Sequence, residues 1–246
     1  MSSAKTHLHL TGGLGNQLFQ LATAVTRSEL PIQIESTLGK PRLNANGKPD
    51  FSDFYFPFIF ENLINSNTSY YKNLMSKTAG YILRQGLDPR GVEQNRLFCW
   101  LAKMLASLVL SIGFRKPIFV VQATDNGYCN LPKPKKNEYL IGYFQSYRWH
   151  DALKSGDSFN GMRLIRPSNQ YLEFLSSMKE RSNIMVHIRL GDYLNEPTFG
   201  VPGPKYYELA LTEILKDRDF DSIILFSNDP QAGIEFIPTA LRSKIG

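Results

Sequence analysis

The residues of this 246-residue chain best placed to do chemistry together lie in N-I-M-V-H-I-R-L-G-D-Y, residues 183–193. Arg189 is a permanent cation whose planar guanidinium matches a phosphate or carboxylate through two parallel hydrogen bonds. If residues 184–189 are extended, alternation puts His187 and Arg189 on one face and Val186 and Ile188 on the other. Gly191 then permits a turn that a side chain would resist, and Asp192 follows it. A histidine and an arginine projecting together at the carboxyl end of a strand form a natural anion site in an open α/β sheet. Two other stretches present polar groups in a similar setting. Gly15 and Asn16 sit in T-G-G-L-G-N-Q-L-F-Q, residues 11–20, where a glycine-rich loop opens a helix and its N–H groups can face a ligand. Ser227 and Asn228 close the apolar run S-I-I-L-F-S-N, residues 222–228.

These groups need strands and helices to hold them. The run 184–189 has no apolar–polar alternation, so a strand covered on both faces is expected. Leu8 and Leu10 mark a short strand before the glycine loop, and Leu18, Leu21, Ala22 and Val25 repeat at helical spacing after it. Ile32–Glu35, 118–122 and 139–143 read as further strands, and residues 69–112 as two helices separated at 86–91. Gly156, Gly161 and Pro167 interrupt the pattern and suggest a boundary between a 1–160 domain and a 161–246 domain. Beyond it, Ser168 can cap a helix carrying Tyr171, Leu175 and Met178, and Pro204 can begin another carrying Tyr207, Ala210, Leu211 and Ile214. Helix and strand alternating in this way predict a parallel, doubly wound α/β sheet.

Composition narrows the function classes. A hydrophobic content of 42% is ample for a packed core, and 28 Lys+Arg against 22 Asp+Glu give +6. That balance suits an acidic partner, but the basic residues are dispersed and no RNA-binding aromatic motif accompanies them, so no nucleic-acid partner is expected. Lys133, Lys135 and Lys136, between prolines, read as a solvated linker. Cys99 and Cys129 lack the spacing of a metal site. Residues 1–30 lack the features of a secretory signal, and a cytoplasmic location follows as the expectation. The apolar stretch Leu97 to Phe114 contains Lys103, Ser107 and Ser111 and reads as a buried or interfacial helix rather than a span, which leaves membrane association open. Five phenylalanines between Phe51 and Phe60 read as core before sugar platform, and Asn67-Thr68-Ser69 matches a glycosylation sequon. The glycine loop fits neither nucleotide fingerprint: Leu18 stands where the dinucleotide motif needs its third glycine, and Gly39-Lys40 runs into Pro41.

Taken together and in order, G-G-L-G-N-Q-L-F-Q (12–20), G-Y-F-Q-S (142–146), H-I-R-L-G-D-Y (187–193) and F-S-N-D-P (226–230) resemble the α-1,2-fucosyltransferases of glycosyltransferase family 11. The resemblance implies the GT-B fold, in which two Rossmann-like domains face a cleft: an acceptor-side domain over 1–160 and a GDP-sugar-binding domain over 161–246. It implies metal-independent, inverting transfer of L-fucose from GDP-fucose to the 2-hydroxyl of a galactose, with no cofactor beyond that donor substrate. The acceptor it implies is a galactose-containing glycan, lipid-linked or on a surface. Arg189 would grip the GDP diphosphate, and His187 would donate to the same phosphates or orient Arg189. Asp192 would serve either as base for the acceptor hydroxyl or as the partner that orients Arg189. Gly15 and Asn16, with Gln17, would approach the fucose or a phosphate, and Ser227 and Asn228 the nucleotide, although Asn228 serves equally well as a helix cap. Family members continue past F-S-N-D through further strand and helix, so the C-terminal domain is expected to be incomplete. A truncated, inactive nucleotide- or partner-binding remnant is therefore the second expectation.

Overall fold

Thr6–His9, four consecutive buried residues, form the strand at the centre of a five-stranded parallel sheet. The computed structural model describes residues 5–27, 31–35, 41–55, 63–65, 70–85, 95–123, 130–151, 162–195 and 200–245. Contacts divide the chain into two compact units, Met1–Arg166 and Pro167–Gly246. In chain order the first unit contains β1 (Thr6–His9), α1 (Leu14–Arg27), β2 (Ile32–Glu35), β3 (Phe54–Tyr55), β4 (Leu63–Asn65) and α2 (Tyr70–Gln85). These are followed by α3 (Arg96–Phe114), β5 (Phe119–Gln122), β6 (Glu138–Ile141), α4 (Tyr147–Asp151) and β7 (Arg163–Leu164). The sheet runs β4-β2-β1-β6-β5, and β3 and β7 form a separate antiparallel pair.

Alternation along the sheet gives this unit two cores. Leu8, Val121 and Leu140 pack with Leu21, Ala22 and Ala24 of α1 and with Phe51, Phe144 and Trp149. Their strand neighbours turn the other way: Ile118 and Tyr139 meet Ala79 and Leu83 of α2 and Ala106 and Leu110 of α3. With both faces covered, the strands have little use for polar alternation. Phe51 lies in the core as its composition suggested; Phe56, Phe58 and Phe60, the Asn67 sequon and Cys129 lie outside the described residues.

The second unit contains α5 (Asn169–Lys179), β8 (Asn183–Ile188), α6 (Pro204–Asp217), β9 (Ser222–Ser227) and α7 (Pro230–Ile234). Strands β8 and β9 pair in parallel from Asn183↔Ser222 to Ile188↔Ser227, and Ile245 makes a parallel bridge to Ile223 on the other side of β9. Ser168 caps α5 through its hydroxyl, which accepts from the Tyr171 N–H, and Pro204 starts α6. The core gathers Ile184, Val186, Ile188 and Ile223 against Tyr207 and Leu211 of α6 and against Phe220 and Ile237. One expectation fails here. Strand β8 is not covered on both faces, because Met185 is 62% exposed and Phe226 on β9 is 45% exposed. Helix α5 buries none of its residues, so within this unit the apolar run supplies one packed face and one open face. An uninterrupted apolar run records what a strand can bury, and the elements available decide which side is buried.

Candidate functional site

The open face of β8 carries His187 and continues to Arg189, both exposed, while Val186 and Ile188 point into the core. A cavity of about 480 Å³ lies alongside. Its wall takes four consecutive residues, Ile184–His187, together with Arg189, Tyr193, Val201, Pro202 and the α6 residues Tyr206 and Tyr207. Side chains of successive strand residues point to opposite faces, so a cavity touched by all four lies against the edge of the strand. Among the described residues β8 pairs with β9 alone, which leaves that edge available. The volume falls within the range of small-molecule sites, and the lining is mostly apolar and aromatic with one strong cation at the strand end.

The local fold at that end follows from two residues. Gly191 has φ +62, a conformation that costs other L-residues about 1–2 kcal/mol. A methyl group there would also collide with the amide nitrogen of Asn228. Asn228 in turn accepts the Leu190 N–H through Oδ1 at 2.8 Å, so the turns after β8 and β9 are tied together. The chain then enters a 3₁₀ turn, Gly191–Asn195, which contains Asp192. Tyr193 lies one turn beyond Arg189, whose guanidinium carbon sits 4.9 Å from the ring centroid. Such a cation–π contact contributes about 0.5–1 kcal/mol at an exposed site and restricts the arginine. Replacing Gly191 with Ala should therefore destabilise this unit by about 1–3 kcal/mol. Urea unfolding would check this, and an unchanged midpoint would show that the turn relaxes freely.

Tyr207 donates to the His187 carbonyl at 3.4 Å. Burial pushes its phenol above the ordinary value, and the neighbouring Tyr206 adds to the shift, so it remains protonated through the neutral range. Ser227 sits at the end of β9, where its hydroxyl donates to the Asp229 carbonyl at 2.9 Å and accepts from the Asp229 N–H at 3.1 Å. The helix-cap alternative for Asn228 is answered as well: Asp229 caps α7, accepting from the Ala232 N–H. Asn228 instead secures the turn after Arg189.

Gly15 and Asn16 belong to the first unit. Gly15 is exposed in the first turn of α1, where N–H groups have no partner within the helix. Gln17, expected to reach a ligand beside Asn16, is fully buried. It donates to the carbonyls of Gly12 and Arg42 and accepts from the Phe51 N–H, so its amide organises the loop. Asn16 is half-buried and accepts from Gln145 Nε2 at 2.6 Å. Sequence reasoning singled out the G-Y-F-Q-S stretch but not this pairing, nor the roles of Tyr193, Tyr206 and Tyr207. The i, i+4 spacing of Arg189 and Tyr193 was the available signal. The α6 tyrosines read only as members of an apolar stripe.

Fold and site define a two-unit α/β protein with parallel sheets and an arginine presented at the carboxyl end of a strand beside a cavity. No protein-family model and no curated protein matches the sequence. Among solved structures the chain is similar to the NodZ α-1,6-fucosyltransferase soaked with GDP-fucose, at 13% identity and a TM-score of 0.45, covering all of this chain and 77% of that one. It is also similar to the fucosyltransferase NodZ from Bradyrhizobium, at 12% identity and a TM-score of 0.41, covering all of this chain and 79% of that one.

Proposed function

We propose that this chain is a glycosyltransferase that moves L-fucose from GDP-fucose to the 2-hydroxyl of a galactose in a glycan, inverting the anomeric centre without a metal. The observation that carries the reading is the Arg189 guanidinium, exposed at the end of β8 and stacked on Tyr193 at the wall of a nucleotide-sized cavity. The four ordered motifs supply the choice of fucose, GDP and galactose.

In this reaction the acceptor oxygen attacks the anomeric carbon, the bond to the β-phosphate oxygen breaks, and GDP leaves with the electron pair. The diphosphate gains charge as that bond lengthens, so a cation fixed beside it stabilises the transition state more than the ground state. Arg189 takes that role. His187 adds a second donor on the same face, and Tyr207 holds the strand carbonyl between them. Asp192, in the turn that follows, either takes the acceptor proton or orients the cation, in which case the proton passes to the leaving diphosphate or to solvent. Ser227 and Asn228 lie at the same end of the paired strands and serve the nucleotide. The roles of Gly15 and Asn16 rest on the motif alone.

The test is GDP release from GDP-fucose with lactose as acceptor, with and without EDTA, followed by determination of the product linkage. Turnover that survives EDTA and yields a 2-linked fucose supports the proposal; no release from a folded sample overturns the enzymatic part. Among the described residues β8 pairs on one edge only, which favours a second reading, binding without turnover. In that case GDP raises the melting temperature while GDP-fucose stays intact.

A further inference from the structure

Helix α3 is amphipathic in the reverse sense for a helix packed on a sheet. Its inward line, Cys99, Ala102, Ala106 and Leu110, is buried. The two serines that interrupt its apolar sequence also face inward: Ser107 Oγ accepts the Val120 N–H at 3.1 Å and Ser111 Oγ accepts the Ile118 N–H at 2.9 Å, satisfying amides along β5. What remains outside is apolar. Leu97, Leu101, Met104, Leu105, Leu108 and Ile112 form one stripe along the helix, each about half exposed or more, with Trp100 at its flank. Over Leu97–Phe114 the mean hydropathy is 1.9 and only a third of the stretch is buried.

Charge identifies the occupant. The stretch 70–123, which spans α2, α3 and β5, holds eight basic residues from Lys72 to Lys116 against two acidic ones, Asp88 and Glu93. Lys77 and Arg115 are exposed, and Lys103 is half-buried between the inward line and the Trp100 flank, on the side away from the leucines, with a stem long enough to carry its charge to solvent. A second copy of the same face would bring two like-charged fields together, whereas an anionic bilayer complements the field and accepts the stripe. We infer that the outer face of α3 is a membrane-docking surface, lying in the plane of an anionic bilayer with its leucines and Trp100 at the headgroup–acyl boundary. Spanning is ruled out by the inward line, which is packed against α2 and the sheet. This inference is independent of the donor-site reading.

The test uses the full chain and vesicles of phosphatidylcholine alone or with about a third phosphatidylglycerol. The chain has two tryptophans, and Trp149 is buried, so Trp149→Phe leaves Trp100 as sole reporter. Co-sedimentation with the anionic vesicles only, weakening with salt, and a blue shift of Trp100 emission are expected. Leu101→Gln/Leu105→Gln/Leu108→Gln changes only exposed positions and should lower partitioning at least tenfold. Absence of both sedimentation and blue shift with anionic vesicles overturns the inference. So does a wild-type dimer, seen by light scattering, that the triple variant converts to monomer while vesicle binding stays absent.

Discussion

Replacing Arg189 with Lys is expected to lower GDP-fucose turnover by roughly 100- to 1,000-fold, the usual loss when a preorganised donor to developing negative charge is removed. It should also remove most of the GDP-dependent rise in melting temperature, which at a hundredfold excess over Kd corresponds to about 2.7 kcal/mol. Lysine keeps the charge but loses two things that the geometry supplies. The planar fork that binds two phosphate oxygens at once becomes a single ammonium, and the flat cation resting on Tyr193 loses its stacking partner. Because Arg189 is exposed, stability without ligand should fall by about 1 kcal/mol or less, so the effect is separable from misfolding. Tyr193→Phe retains the ring and should stay near wild type, while Tyr193→Ala should weaken GDP binding severalfold by freeing the guanidinium. Near-normal turnover in Arg189→Lys would place the cation that matters elsewhere.

Much of the scaffold was legible in the sequence because its signals are local. The leucines around α1, the two helical patterns at 69–112 and the short β-rich runs all correspond to observed elements. The apolar run at 184–189 was legible as a strand but not in its environment, because coverage of a strand face depends on the elements packed on it, and α5 is not among those buried there. Of the candidate site residues, His187 and Arg189 share the exposed side of the strand, as alternation predicts, and the cavity that both line reaches them along the strand's edge. Gln17 illustrates the limit. An amide in a glycine loop reads as a ligand group, yet buried backbone groups must be satisfied, and Gln17 serves one in that loop, the Gly12 carbonyl, and two beyond it, at Arg42 and Phe51. Distance in sequence hid the rest: Gln145 lies far from Asn16 along the chain, and no spacing rule joins them.

The largest loss of stability is expected from Glu138→Ala, at about 3–5 kcal/mol. Glu138 opens β6, between β1 and β5, and its side chain is 1% exposed against 6% for Arg27 at the end of α1. The pair is bidentate, with Arg27 Nε donating to Oε2 at 3.2 Å and Nη2 to Oε1 at 2.9 Å. Each charge has a further tie: Arg27 Nη2 donates to the Pro132 carbonyl, and Glu138 Oε1 accepts the Lys135 N–H. Both ions have been stripped of water, and their attraction offsets that cost only while both are present. Removing the carboxylate leaves a buried guanidinium with one carbonyl for company and releases the turn at Lys135. A loss of this size is a large share of the roughly 5–15 kcal/mol that holds a domain folded. The double variant Arg27→Met/Glu138→Leu should recover most of it, since two apolar chains of similar volume carry no desolvated charge. Denaturant unfolding of the single and double variants decides the matter, because only a buried ion pair makes the double change milder than either single one; additive losses would mean that the two chains contribute as independent packing.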